Sequence, residues 1–155
     1  MSNINRRSSS VRCDCILVPV DGSKVSYHAL LEAIELAEAA SAELVLLMVV
    51  DYNENIAAFE RVTISGDVSA ELRISAYKFL SELMHEVPAN IPARIRVETG
   101  KPGACIADVA EEEACDLIVM GSSGFGTFRR ALFGSTSQYV LRYADCPILF
   151  CKEPS

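Results

Sequence analysis

The chain has 155 residues, half of them apolar and about a quarter charged, enough for one domain with a real core. A formal net charge of −7 disfavours nucleic acid, whose phosphates call for a basic face. The longest apolar run, Leu44 to Val50, falls far short of the roughly 20 residues that a membrane-spanning helix requires. The first dozen residues are polar, with no apolar stretch of the secretory kind, so a cytoplasmic location is expected.

In chain order, residues 1–12 are rich in Ser, Asn and Arg and read as a flexible tail, leaving residues 13–153 as the domain. Cys15 to Val20 is a short continuous apolar run closed by Asp21-Gly22, the mark of a buried strand. Ser23 then caps a helix over Lys24 to Ala40, whose apolar positions recur at 3.6-residue spacing. Residues 43–51 form a second continuous apolar strand. Residues 51–66 lack a clear period and read as a loop, and a helix follows from about Asp67 to Glu86. Pro88 and Pro92 interrupt the chain before a third strand, residues 93–100, which alternates and so belongs nearer a sheet edge. A helix near Ala104 to Glu113, a strand at 116–120, a helix from Ser135 to Tyr143 and a last strand at 146–152 complete the series.

Strands and helices therefore alternate, and the strands are mostly apolar on both sides. That predicts an α/β fold: an open five-stranded parallel sheet, doubly wound and Rossmann-like, with helices on both faces. Such sheets bind ligands beyond the carboxyl ends of the strands where the winding reverses. The loops to inspect are thus Asp21-Gly22-Ser23, the end of the second strand, Thr99 to Gly103, and the stretch after the fourth strand.

That last stretch carries an unusual density of glycine and hydroxyl residues. Gly121 closes the strand and Gly124 follows it; Gly134 then opens a helix with Ser135, Thr136 and Ser137. Glycine admits close approach of a ligand to the backbone, and the first N–H groups of a helix have no internal acceptor. Together with the helix dipole they suit an anion, with the hydroxyls as further donors. The bland reading is a glycine-rich turn followed by an ordinary serine cap. The lysine of the P-loop pattern is missing, as is the dinucleotide pattern G-x-G-x-x-G.

The spacing G-x2-G-x9-G-[ST], met at Gly121, Gly124, Gly134 and Ser135, resembles that of the universal stress protein family in its ATP-binding branch. The stretches ILVPVDGS, LLMVVD, ETGKP, DLIVMGSSG and CPILFCK extend the likeness over about Cys13 to Lys152. The resemblance implies ATP, or AMP, between the first and fourth strand ends. Asp21, preceded by Pro19 and Val20, would approach the adenosine, the backbone at Val49 would read the adenine, and Met120 would flank the base. Ribose and phosphate contacts map to Gly121, Gly124, Gly134, Ser135, Thr136 and Ser137. Ser123 stands where relatives often carry histidine or arginine. Mg²⁺ would be held mainly by the phosphates. The resemblance also implies a two-fold homodimer through Pro147 to Lys152, a last strand with little chain left to cover its edge.

Other features read as ordinary. Arg129 and Arg130 are solvated loop residues, with a phosphate contact as the alternative. His28 and His85 have no partner at metal-ligand spacing. Cys13, Cys15, Cys105, Cys115, Cys146 and Cys151 include no C-x-x-C and read as reduced, small hydrophobes, although the reactivity of the Cys13–Cys15 pair stays open. Three functions follow: a stress-response or signalling switch that binds ATP with little or no turnover, a slow ATPase or phosphotransferase, and a dimeric interaction module without nucleotide.

Overall fold

The computed structural model describes residues 12–51, 68–123 and 133–154. The expected tail and the loop after the second strand therefore lie outside the described residues. The strands are β1 (Cys15–Pro19), β2 (Glu43–Val50), β3 (Ala93–Thr99), β4 (Leu117–Gly121) and β5 (Ile148–Cys151). Between them run the helices α1 (Lys24–Ala40), α2 (Val68–Leu83), α3 (Pro102–Glu112) and α4 (Ser135–Tyr143). A short 3₁₀ turn, Met84–Glu86, extends α2 to the point where the sequence places its end. All strand pairs are parallel, in the order β3-β2-β1-β4-β5. The chain winds outward from β1 to β3, crosses back to β4 and winds outward again. The reversal falls between β1 and β4.

Alternate strand residues feed two helical layers. Ile16, Val18, Leu44, Leu46, Val97 and Val119 pack with Ala29, Leu30 and Ala33 of α1 and Leu80 of α2. Leu17, Val45, Leu47, Ile118 and Met120 pack with Ile106 and Val109 of α3 and Val140 of α4. Both faces are covered, which is why the central strands are apolar without alternation.

The helices begin and end for local reasons. At α1 the Ser23 hydroxyl accepts from the Ser26 N–H at 3.3 Å, and Ser41 closes the helix in the left-handed region at φ 54°. Pro102 occupies the first turn of α3, where no amide donor is needed. Gly103 is set by packing: a β-carbon there would lie 2.7 Å from Cβ of Tyr139, so only glycine lets α3 and α4 approach this closely.

The edge strand β3 shows what its alternation means. Ile95 and Val97 face the α1–α2 layer, while Arg94 and Arg96 meet the C-terminal end of α3. Arg94 pairs with Glu43 at 3.0 Å and with Glu113; Arg96 pairs with Glu112 at 2.9 Å and Glu113 at 3.0 Å. Glutamates at a helix C-terminus oppose its dipole. The two guanidinium groups offset that repulsion and tie the helix end to the sheet edge.

The registered pairs of β1 and β4 lie toward their amino ends. The Asp116 carboxylate accepts from the N–H groups of Asp14 at 2.8 Å and Cys15 at 3.1 Å. The ladder registers Ile16 with Leu117 and Leu17 with Ile118 and goes no further, whereas the β1–β2 register continues to Pro19. The amide directions explain the stop. Val20 N donates to Leu47 O at 2.8 Å, toward β2, and Cys15 O accepts from Asp116 N at 2.9 Å, toward β4. Residues 15, 17 and 19 thus address β4, and residue 19 is a proline without an N–H to offer.

Two outcomes follow. Gly103→Ala drives a methyl into Tyr139 and lowers stability by about 1–3 kcal/mol in denaturant melts, without changing the far-ultraviolet spectrum of the folded state. Hydrogen bonding from Arg94 holds the Glu113 carboxyl below its ordinary pKa despite partial burial. A depressed folded pKa gives stability above the ordinary glutamate range that disappears as pH falls through the folded value. Glu113→Gln accordingly costs about 1 kcal/mol at pH 7 and almost nothing below about pH 3, seen as convergence of the two stability curves.

Candidate functional site

The candidate site lies at the carboxyl ends of β1 and β4, beyond the last registered pair of their ladder. Its floor on the α3–α4 side is set by strand alternation: Met120 is buried there, and Val49, half-buried near the end of β2, packs with the same layer. Pro19 stands at the point where the β1–β4 ladder stops.

The start of α4 is fastened to the end of β4. Ser122 N donates to Cys151 O at 2.8 Å, and Ser122 O accepts from Gly134 N at 3.3 Å. The Ser137 hydroxyl donates to Ser122 O at 3.0 Å and lies 3.3 Å from Gly121 O. Ser137 is thereby fully engaged as a donor and buried, so its hydroxyl serves as an anchor. Gly134, in extended conformation at φ −78°, is the cap residue, and no side chain caps the helix. This overturns the plain serine cap: Ser135 is already helical, and the amides of the first turn have no intrahelical acceptor. Ser135 is exposed and Thr136 partly so, which leaves their hydroxyls at the helix start.

The turn after β1 brings a carboxylate to the same end of the sheet. Asp21 Oδ1 accepts from Ser23 N at 2.9 Å and from the Ser23 hydroxyl at 2.5 Å. Gly22 makes the turn possible at φ 84°, a region that side chains resist. Asp21 is exposed, and one of its oxygens is spent on building the turn.

Not every residue expected at the site converges there. Val20 is buried in the opposite layer against α1, so its side chain faces away from Met120 and Val49. Gly121 has a steric reason of its own: a β-carbon would meet Val25 Cγ1 at 2.8 Å, so the glycine admits α1. Val25 is the partner that sequence reasoning missed, since nothing in the pattern marks it. Ser123 is partly buried beside Gly121, whereas Gly124, Arg129 and Arg130 lie outside the described residues. A cleft of about 470 Å³ runs between α1 and α2, lined by Val20, Tyr27, Leu31, Phe79 and Leu83. It lies mainly on the α1–α2 side of the sheet, and its rim reaches Gly22 and Ser23 of the turn that carries Asp21.

The comparisons agree with this architecture. The universal stress protein family model matches residues 14–152. Universal stress protein MJ0531 of Methanocaldococcus jannaschii is 32% identical over 141 residues, covering 90% of this chain and 82% of its own. The solved structure of the protein MJ0577 superposes with a TM-score of 0.80 at 25% identity, covering 93% of this chain and 99% of that one. A universal stress protein solved in complex with cAMP superposes with a TM-score of 0.69 at 22% identity, covering 92% and 99%. With the doubly wound sheet, its reversal between β1 and β4, and the glycine-opened helix at that reversal, the chain belongs to the universal stress protein family.

Proposed function

We propose that the surface beyond the carboxyl ends of β1 and β4 binds an adenine nucleotide, ATP or AMP, and that the protein acts as a stress-response or signalling switch with little or no turnover. One observation carries this reading: an α-helix with no side-chain cap starts beside the end of β4, held there by Gly134 and Ser137. The first-turn amides of Ser135, Thr136 and Ser137 would bind phosphate oxygens, helped by the dipole and by the two outer hydroxyls. Asp21 Oδ2, which takes no hydrogen bond among the described residues, would accept from a ribose hydroxyl. The backbone of Val49 and of Pro19-Val20, with Met120 beneath, would frame the base; Gly121, Ser123 and Gly124 would line the phosphate path. Mg²⁺ would arrive with the nucleotide, held mainly by its phosphates. The relative bound to cAMP supports the reading by showing that this fold accepts an adenine nucleotide.

No helix among the described residues is long and apolar enough to cross a membrane. We assign the protein to the cytoplasm, in keeping with six free thiols. We also assign a homodimer through β5. That strand is at the sheet edge, and Leu149 on it and Tyr139, Leu141 and Tyr143 on neighbouring α4 are exposed.

Mass spectrometry of gently denatured protein should release bound adenine nucleotide. Gly134→Val places a branched side chain at the helix mouth and should weaken Mg·ATP binding at least tenfold by calorimetry while the circular dichroism spectrum stays unchanged. Parental affinity in that variant sinks the site. Turnover near the enzyme median of about 10 s⁻¹ replaces the switch with an ATPase or phosphotransferase. For the dimer, Leu149→Arg should convert the species seen in sedimentation from two chains to one; an unchanged mass rules out β5 as the contact.

A further inference from the structure

Cys15 opens β1 and Cys115 precedes β4, a hundred residues away, yet their Sγ atoms lie 3.1 Å apart. Both side chains are buried, at 5% and 8% exposure, in the α3–α4 layer. Cys13, the sequence neighbour of Cys15, packs with the opposite layer. The backbone around the pair is fixed: Asp116 N donates to Cys15 O, and the Asp116 carboxylate takes the Cys15 N–H in return. From 3.1 Å, closure to the roughly 2.05 Å of a disulfide needs only small side-chain rotations. A cleft of about 390 Å³, lined by Cys115, Cys146, Tyr139, Tyr143 and Asp145, leads from the surface to the Cys115 side chain.

From this placement we infer that Cys15 and Cys115 are a site of reversible oxidation, closing to an intramolecular disulfide when a hydroperoxide enters through that cleft. Cys115, as thiolate, attacks the outer oxygen of the peroxide; the O–O bond breaks, water or an alcohol leaves, and Cys115 carries a sulfenic acid. Cys15 then attacks that sulfur and its proton leaves with the hydroxyl as water. Two thiols lose two electrons and two hydrogens, and one hydroperoxide is reduced to an alcohol and water. Burial raises the pKa of both thiols, so the thiolate is scarce and the reaction slow. The pair therefore records sustained oxidant and does not act as a scavenger.

The bond would join β1 and β4 at the closed end of their seam and tie off a loop of 100 residues. The test uses the full chain, reduced, desalted and exposed to hydrogen peroxide. The expected result is loss of two hydrogens in intact mass, a Cys15–Cys115 linked peptide after thiol blocking and digestion, and a rise in Tm of about 10 °C that dithiothreitol reverses. Cys146→Ala should keep all three signs, while Cys15→Ala should lose them. A Cys115–Cys146 peptide, oxygen added to single thiols without cross-linking, or no change in mass would each overturn the assignment.

Discussion

One missing hydrogen-bond donor limits the ladder at the end of the sheet where the nucleotide site is proposed. Along β1, residues 15, 17 and 19 address β4, and at the third of these the chain carries proline. The ladder between the two strands at the winding reversal is registered toward their amino ends and stops before Pro19. Backbone groups at a strand end must find partners outside the ladder. Here Ser122 bridges from the end of β4 to β5 and to the start of α4. The proposed nucleotide site depends on this arrangement more than on any single polar side chain.

The rest of the fold holds that end of the sheet in place. Two apolar layers sandwich the middles of β1 and β2, and each is served by alternate residues of the same strands. At the far edge, where one face of β3 would meet solvent, arginines draw in the acidic end of α3 and fix the crossover that returns the chain to β4. Glycines 103 and 121 allow helices to sit closer to their neighbours than any side chain would permit. The reversal point is thus flanked by parts with little freedom to shift.

Much of this was legible in the sequence because it follows from short-range pattern. Continuous apolar runs gave buried parallel strands, 3.6-residue spacing gave α1 with both ends correct, and the alternation of residues 93–99 placed β3 at an edge. The glycine and hydroxyl cluster located the start of α4. What pattern does not carry is contact between distant residues. Gly121 reads in the sequence only as room for a ligand, whereas packing adds a second reason for it: a β-carbon there would meet Val25 of another element. Ser137 looked like a phosphate donor, yet its position one turn into α4 points the hydroxyl back at the carbonyls of β4. Cys15 was weighed against Cys13, its neighbour in the chain, although its neighbour in space is Cys115. Each of these partners is fixed by tertiary packing, to which a local window is blind.

The tether between α4 and β4 has a mechanical consequence. Phe133, just before the helix, meets Phe150 of β5 edge-on with ring centroids 4.9 Å apart, and a short connection of four residues, 144–147, links the far end of α4 to the same strand. The helix is therefore coupled to the outermost strand at both extremities, like a rod pinned twice to one rail. A load applied at its mouth is passed to the sheet's rim, and a constraint imposed on the rim is felt at the mouth.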